Sequence, residues 1–473
     1  MNAEELQYNK MTKTKINKLV VTLGIPTIIS MLITAIYNIA DTYFVSQLGK
    51  SASGAVGVVF SLMAIIQAVG FTFGMGAGSL ISSKLGERKE HEAQVIGSSS
   101  FYIAIIIGLI ISIFSLIFIE PLMKLLGATE TVLPYAIDYA YYIVYGFPIM
   151  VGSFVMNNIL RAEGKAKFAM IGLTTGGILN MLLDPLFINS MNLGIKGAAL
   201  ATIISQGVSF ILLLSVFLIR KSIITLSIRK VTKKFSIYFD ILKVGFPSFC
   251  RQGLASIATV LLNKQAGAYG DDAALSAMSI VSKVFMIIFS VCLGIGQGYQ
   301  PVCGYNYFAK KYKRVKESMV FTLVVGTVLM TVFSIAFFIF AEQSIKFFID
   351  DTEVIEIGKA VLRFQCISMP FMSLNVVCNM TFQSLRQKWK ATILSCFRQG
   401  IFFIPLVLLL PMWFELLGVE LVQGLSDVLT CIFTIPFFIM FLKEINSKIA
   451  EENGNNYVNT EASLNNVTTI TDN

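Results

Sequence analysis

Asn180 and Asp184 stand four residues apart in the stretch ILNMLLDPLF, a spacing that puts both side chains on one face of a helix. The rest of the stretch is apolar. A lone charge at bilayer depth costs at least about 2.5–3.5 kcal/mol, so Asp184 is expected to support a function. A second acid, Asp41, lies in the similar setting YNIADTYFV. Tyr37, Asn38, Tyr139 and Thr202 are the polar residues expected at comparable depth. Low dielectric disfavours a bare carboxylate, and a neighbouring carboxylate disfavours it further, which suits a proton carrier. Carboxylate, amide and hydroxyl oxygens are equally suited to a small hard cation, so H⁺ and Na⁺ can compete for Asp41, Asn180, Asp184 and Thr202. The structural alternative is that these acids only hydrogen-bond neighbouring helices. Asp138 falls near the outer interface and is a weaker candidate.

Other chemistries are poorly provided for. His91 is the single histidine, which removes HExxH zinc sites and Ser-His-Asp triads. The seven cysteines all fall after residue 249 and form no CxxC; they read as small core hydrophobes, with no metal site and no cofactor. Arg251 and Arg398 each begin an Arg-Gln-Gly triplet inside an apolar run. Few deep acids are evident in the second half to pair with them, so satisfaction at a helix end and lining of an aqueous cleft both stay open; Lys283 is a weaker example. Glycines in GMGAG at 74–78 and GIGQG at 294–298 read first as close-packing positions.

The elements that position these residues are membrane helices. Hydrophobic residues make up 55% of the 473 and charged residues 14%, against about 45–50% and about 25% in soluble domains. Twelve apolar runs are long enough to span, near 19–46, 54–83, 95–119, 133–160, 168–188, 196–219, 240–267, 273–303, 319–341, 357–384, 391–413 and 417–442. The net charge of +9 sits mainly in alternate loops, as membrane orientation requires, rather than in a nucleic-acid patch. By the positive-inside rule both termini are cytoplasmic. Depth along the helices then places Asp41, Asn180, Asp184, Thr202 and Tyr139 in the outer half. LGIPTIIS at 23–30 echoes VGFPSFCR at 244–251, and GMGAG echoes GIGQG, the mark of a parallel duplication. The expected fold is all-α integral membrane, with twelve transmembrane helices in two pseudo-symmetric six-helix lobes. The expected parts are a cytoplasmic N-terminus (1–18), an N-lobe (19–220), a cytoplasmic linker (221–239), a C-lobe (240–445) and a polar tail without regular structure (446–473).

The strings YNIADTYFVSQLG, FGMGAGSLISSKLG, RAEGKAKFAMIG, ILNMLLDPLFI, LGIKGAALATIIS and GIGQGYQPVCGYNY, in this order and spacing, resemble the multidrug and toxic compound extrusion (MATE) family. The resemblance covers nearly the whole chain except the tail. It implies two lobes around a central cleft in a bacterial inner membrane. It also implies export of amphipathic or cationic small molecules in exchange for H⁺ or Na⁺. One branch of the family has its cation site in the first lobe, and its Asp, Asn, Asp and Thr match Asp41, Asn180, Asp184 and Thr202. Tyr37, Tyr139 and Asn157 match neighbours of that site. Another branch uses acids in helices seven and ten, where this sequence has only Asp240 and Glu356 at the edges. Filling the first-lobe site is expected to bend or repack run 1, with Pro26 as the flex point. The chain is expected to act as a monomer, without nucleic acid and not as an enzyme. A flippase for a lipid-linked sugar on a related fold is the alternative, kept open by Arg251, Lys283 and Arg398.

Overall fold

The structure is a computed structural model that describes residues 3–468. A short polar helix, α1 (Ala3–Lys13), precedes the first spanning helix, α2 (Ile16–Ser46). Helices α3 (Lys50–Gly86) and α4 (Glu90–Ile117) follow, then the short α5 (Ile119–Leu125). Helices α6 (Leu133–Tyr145) and α7 (Phe147–Ala162) form one crossing, bent by 51° at Gly146. Pro148, in the first turn of α7, has no N–H to continue the ladder across this break. Helix α8 (Ala166–Pro185) loosens into a π turn, Leu186–Ser190, where Pro185 removes a donor, and α9 (Gly194–Leu218) closes the N-lobe. The C-lobe comprises α10 (Phe235–Tyr269), α11 (Asp272–Phe308), α12 (Tyr312–Ile339), α13 (Ala341–Lys346), α14 (Thr352–Ser384), α15 (Lys388–Cys396), a π turn at Phe397–Phe402 and α16 (Phe403–Thr468).

The last helix is two crossings. Glu415 has φ 50° and ψ −130°, and the chain reverses there. A straight helix would hold residues 398 and 427 about 44 Å apart, yet Arg398 Nε and Asp427 Oδ1 are 2.6 Å apart. With this hairpin, the bent α6–α7 pair and the more highly charged α10, the helices make twelve crossings among the described residues. Their outer faces are apolar. Val320, Val324, Val328 and Val332 recur every four residues along α12 and are 40–57% exposed. Such surface belongs against lipid.

Each lobe has its own hydrophobic core. The lobes meet along α2 with α11 and α3 with α10, at the end of the molecule that carries the Lys/Arg-rich loops, called here the basic face. Contact there is backbone to backbone. A Cβ on Gly298 would lie 2.5 Å from Cα of Gly24, and one on Gly245 would run into the Thr72 carbonyl. The glycine motifs therefore seal the two lobes together. A Cβ at Gly57 or Gly267, nearer the far face, would meet nothing within 4 Å.

Three boundaries differ from the sequence expectation. Residues 3–13 are helical because α1 packs: Met11 is fully buried and Asn306 Nδ2 donates to its carbonyl at 3.1 Å. The linker spans 221–234, since α10 begins at Phe235. It is fixed in place by Glu163, which accepts from the Ser222 hydroxyl and from the backbone N–H groups of Ile223 (3.0 Å) and Ile224 (3.1 Å). Finally, α16 runs on to Thr468 through the segment expected to lack structure. The helix formers Glu444, Lys448, Ala450 and Glu451, with a Lys448–Glu444 ion pair at 3.3 Å, carry it past the membrane-spanning part. Residues 469–473 of the expected tail lie outside the described residues.

Candidate functional site

Four helices of the N-lobe bring the acidic cluster together. Asp41 comes from the far-face end of α2, Tyr139 from α6, Asn180 and Asp184 from one face of α8, and Thr202 from α9. The Tyr139 hydroxyl donates to Asp41 Oδ2 at 3.5 Å. Asn180 Nδ2 reaches Asp184 Oδ1 at 3.3 Å and Thr202 Oγ1 at 3.4 Å. Thr202 in turn donates to the Ala198 carbonyl at 3.1 Å. Asp184 and Tyr139 are fully buried, and Asn180 and Thr202 nearly so.

The bonding of this cluster is incomplete in a particular way. Asp41 Oδ1, Asn180 Oδ1 and Asp184 Oδ2 are buried without a hydrogen-bond partner. Neither acid has an ion pair among the described residues. Three buried acceptor oxygens without a partner in one cluster are rare in folded proteins, and an unpaired buried carboxylate costs several kcal/mol. A hard cation has the coordination number to take all three oxygens, and a proton on either acid would turn one acceptor into a donor for a neighbour. No group of three or more His, Cys, Asp or Glu side chains fit to hold a metal occurs among the described residues. The Ser205 hydroxyl, unpartnered and one turn from Thr202, is a further oxygen that spacing alone does not single out.

Of the other expected members, Tyr37 adjoins the cluster and the rest fall elsewhere. Tyr37 lies against α8, within reach of a Cβ at Gly177, one turn before Asn180. Asn38 bonds its own helix, Nδ2 to the Thr34 carbonyl at 2.9 Å. Asn157 is not part of the cluster. Its Nδ2 donates to the Ala169 carbonyl at 3.0 Å, about 22 Å along α8 from Asp184. It ties α7 to α8 near the basic face, as Asn379 ties α14 to the Ala391 carbonyl (2.8 Å) in the second lobe. Asp138 is half exposed and pairs with Lys196 at 3.3 Å. Pro26 sits inside α2, which is one helix from Ile16 to Ser46.

The deep arginines resolve differently from one another. Arg398 has the deep acid that the sequence reading missed: its Nε donates to Asp427 Oδ1 at 2.6 Å, and Gln423 Nε2 donates to Asp427 Oδ2 at 3.2 Å. The signal was present, since Asp427 interrupts an apolar run as Asp184 does. Arg251 has no carboxylate; its Nη1 meets the neutral Asn379 Oδ1 at 3.4 Å. Both arginines line a cavity in the C-lobe. Lys283 is partly buried on α11 and does not line it.

The seal at the basic face contains a buried arginine at the end of α7. Arg161 has only 6% of its surface accessible. It bonds Gln297 across the lobe boundary and Asn158 Oδ1 at 3.0 Å. Gln300 Nε2 adds a second cross-lobe bond to Ser79 Oγ at 3.1 Å. Helix α1 straps the same seam. Gln7 donates to the Glu163 carbonyl (2.5 Å) on one side, and Arg314 donates to the Thr14 carbonyl (2.7 Å) just after α1 on the other.

Comparison with known proteins agrees with this architecture. A MatE family model matches residues 26–186 and 247–409. The multidrug export protein MepA of Staphylococcus saprophyticus subsp. saprophyticus is 27% identical over 420 residues, which cover 89% of this chain and 92% of that protein. A multidrug resistance MATE family transporter of the MOP superfamily, in an outward-facing conformation, superposes with a TM-score of 0.88 at 25% identity, covering 92% of this chain and 98% of that one. A MATE protein in complex with MaL6 gives the same TM-score and identity over 93% and 99%.

Proposed function

The chain belongs to the MatE family, and from that premise we propose that it is a cation-coupled antiporter whose coupling site is the N-lobe cluster of Asp41, Asn180, Asp184 and Thr202. It is a multidrug efflux transporter of the bacterial plasma membrane, and not an enzyme. It needs no cofactor beyond the coupling ion, H⁺ or Na⁺, and works as a monomer on amphipathic or cationic small molecules. The basic face is cytoplasmic by the positive-inside rule, so both lobes are closed to the cytoplasm and part towards the outside.

The observation that carries the coupling site is the set of three orphaned buried oxygens on Asp41, Asn180 and Asp184. In the outward-facing state, H⁺ or Na⁺ enters from outside and neutralises the acids. Tyr139, already bonded to Asp41, and Thr202 hold the ligand oxygens in place. Neutralisation lets α2 repack against α8, with Pro26 as its flex point, and this repacking weakens substrate binding. The exchange is driven only by such a difference in affinity; an ion that bound both states equally would drive nothing.

Linkage gives the test. Equilibrium binding of a fluorescent cationic dye to the purified transporter is measured with and without Na⁺, and separately across pH. The proposal expects one of the two ions to weaken dye binding by about tenfold, within the 1–3 kcal/mol typical of coupled sites, and Asp184→Asn to remove that dependence. Dye affinity indifferent to both ions in the wild type would refute the coupling. The flippase alternative is less well supported, because Asp427 neutralises Arg398 and leaves a single unbalanced guanidinium, too little charge for a pyrophosphate.

A further inference from the structure

Arg161 has more capacity to donate than its surroundings use. At the end of α7 it bonds Gln297 across the lobe boundary and Asn158 Oδ1 at 3.0 Å. Both partners are neutral amides, and its Nε is buried with no partner. The acid nearest in sequence, Glu163, is committed elsewhere. It pairs with Lys165 at 3.0 Å and accepts from the linker N–H groups of Ile223 and Ile224. Among the described residues, no carboxylate pairs with this guanidinium. The C-terminal end of α7 favours a cation, but by at most about 2 kcal/mol, whereas taking an ion out of water costs several kcal/mol. The helix end alone does not offset that cost, and a ligand of opposite charge would.

The setting indicates the size and charge of that ligand. Arg161 lines a cavity at the lobe seam together with Ser79 of the N-lobe and Gln297 and Gln300 of the C-lobe. Ser79 Oγ accepts from Gln300 Nε2 at 3.1 Å, which leaves its own O–H to donate. Gln297 spends its Oε1 on Arg161, which leaves its amide N–H groups. Donors from both lobes thus surround one positive centre, an arrangement that receives an anion. The cavity measures about 20 Å³, above the roughly 10–15 Å³ that one water needs. That suits a monoatomic ion rather than a phosphate or an organic anion. A water would fit as well but would not counter the charge.

We propose that a chloride ion binds Arg161 inside the closed seal and stabilises the state in which the basic-face ends of the lobes touch. The site takes groups from both lobes, so it exists only while they are in contact. When the ends part, Arg161 meets water and the ion leaves. Chloride is then a ligand of one state alone, and its concentration on the basic-face side shifts the equilibrium towards that state.

The test is the distance between spin labels at positions 167 and 313 in the full-length transporter, in a background without native cysteines. Chloride replaces gluconate at a constant ionic strength of about 0.15 M, so screening does not change. Chloride is expected to raise the ratio of closed to open seal about tenfold, the shift produced by an ion at about ten times its Kd, and Arg161→Gln is expected to remove the dependence. A wild-type ratio indifferent to the anion would overturn the proposal, and so would a chloride shift that persists in Arg161→Gln. Where that variant does not fold, the wild type decides alone. Closed-seal crystals in bromide are expected to give an anomalous peak in contact with Arg161 Nε, and a bound bromide pattern without that peak would overturn the proposal. Neither arm uses a dye or a cation gradient, so failure here leaves the antiport reading standing, and failure of the antiport leaves this site standing.

Discussion

Gly298→Ala would place a methyl carbon 2.5 Å from Cα of Gly24, 2.8 Å from its nitrogen and 3.0 Å from the Leu23 carbonyl carbon. All three neighbours are backbone, so no side chain can rotate aside. Ordinary contact begins near 3.4 Å, and α2 and α11 must therefore separate by about 1 Å. Overpacking that shifts backbone costs about 1–3 kcal/mol. The cost falls only on the state in which the lobes touch at the basic face. In alternating access these ends part when the transporter faces inward, so the substitution should move the equilibrium inward by about 5- to 150-fold. Distances between spin labels at positions 167 and 313, in a background without native cysteines, report the two populations. A folded Gly298→Ala protein with the wild-type distance distribution would refute this account of the seal.

Further outcomes follow from other contacts. Arg398→Gln leaves Asp427 buried without its partner and should destabilise by about 3–5 kcal/mol; adding Asp427→Asn should recover most of the lost Tm in detergent. Glu163→Ala removes the acceptor of two backbone N–H groups and the Ser222 hydroxyl, with hydrogen bonds to a charged group worth about 1.5–3 kcal/mol each. The linker should then be cut by trypsin at Arg229 or Lys230 at least about tenfold faster, and an unchanged rate would count against its anchoring. Deleting residues 2–14 removes the bonds of Gln7, Met11 and Thr14 across the seam and should lengthen the same spin-label distances; an unaltered distribution would show that the strap bears no load.

Much of this was legible in the sequence because membrane helices obey few rules. Length and hydropathy located the crossings, and loop charge gave their alternation. The i, i+4 spacing of Asn180 and Asp184, with depth counted along each helix, brought four of the site residues together before any coordinates. What escaped depended on contacts between distant segments. Asp427 meets Arg398 only because the chain reverses at Glu415. Arg161 stands near the end of an apolar run, where a basic residue reads as a loop anchor, and only the docking of the lobes buries it beside Gln297. Helix α1 is 11 residues long, marginal on its own, and is held by tertiary bonds. Asn157 shows the limit of a family match without depth, since its helix carries it to the basic face, far from Asp184.

The most direct measurement is dye efflux from proteoliposomes under an imposed Na⁺ gradient and, separately, a pH gradient, for wild type beside Asp184→Asn. The account predicts that one gradient drives wild-type efflux and that the variant, reconstituted to the same level, fails under that gradient. Gradient-driven efflux that persists in Asp184→Asn with its ion dependence intact would contradict the central claim that the N-lobe cluster couples the ion to export.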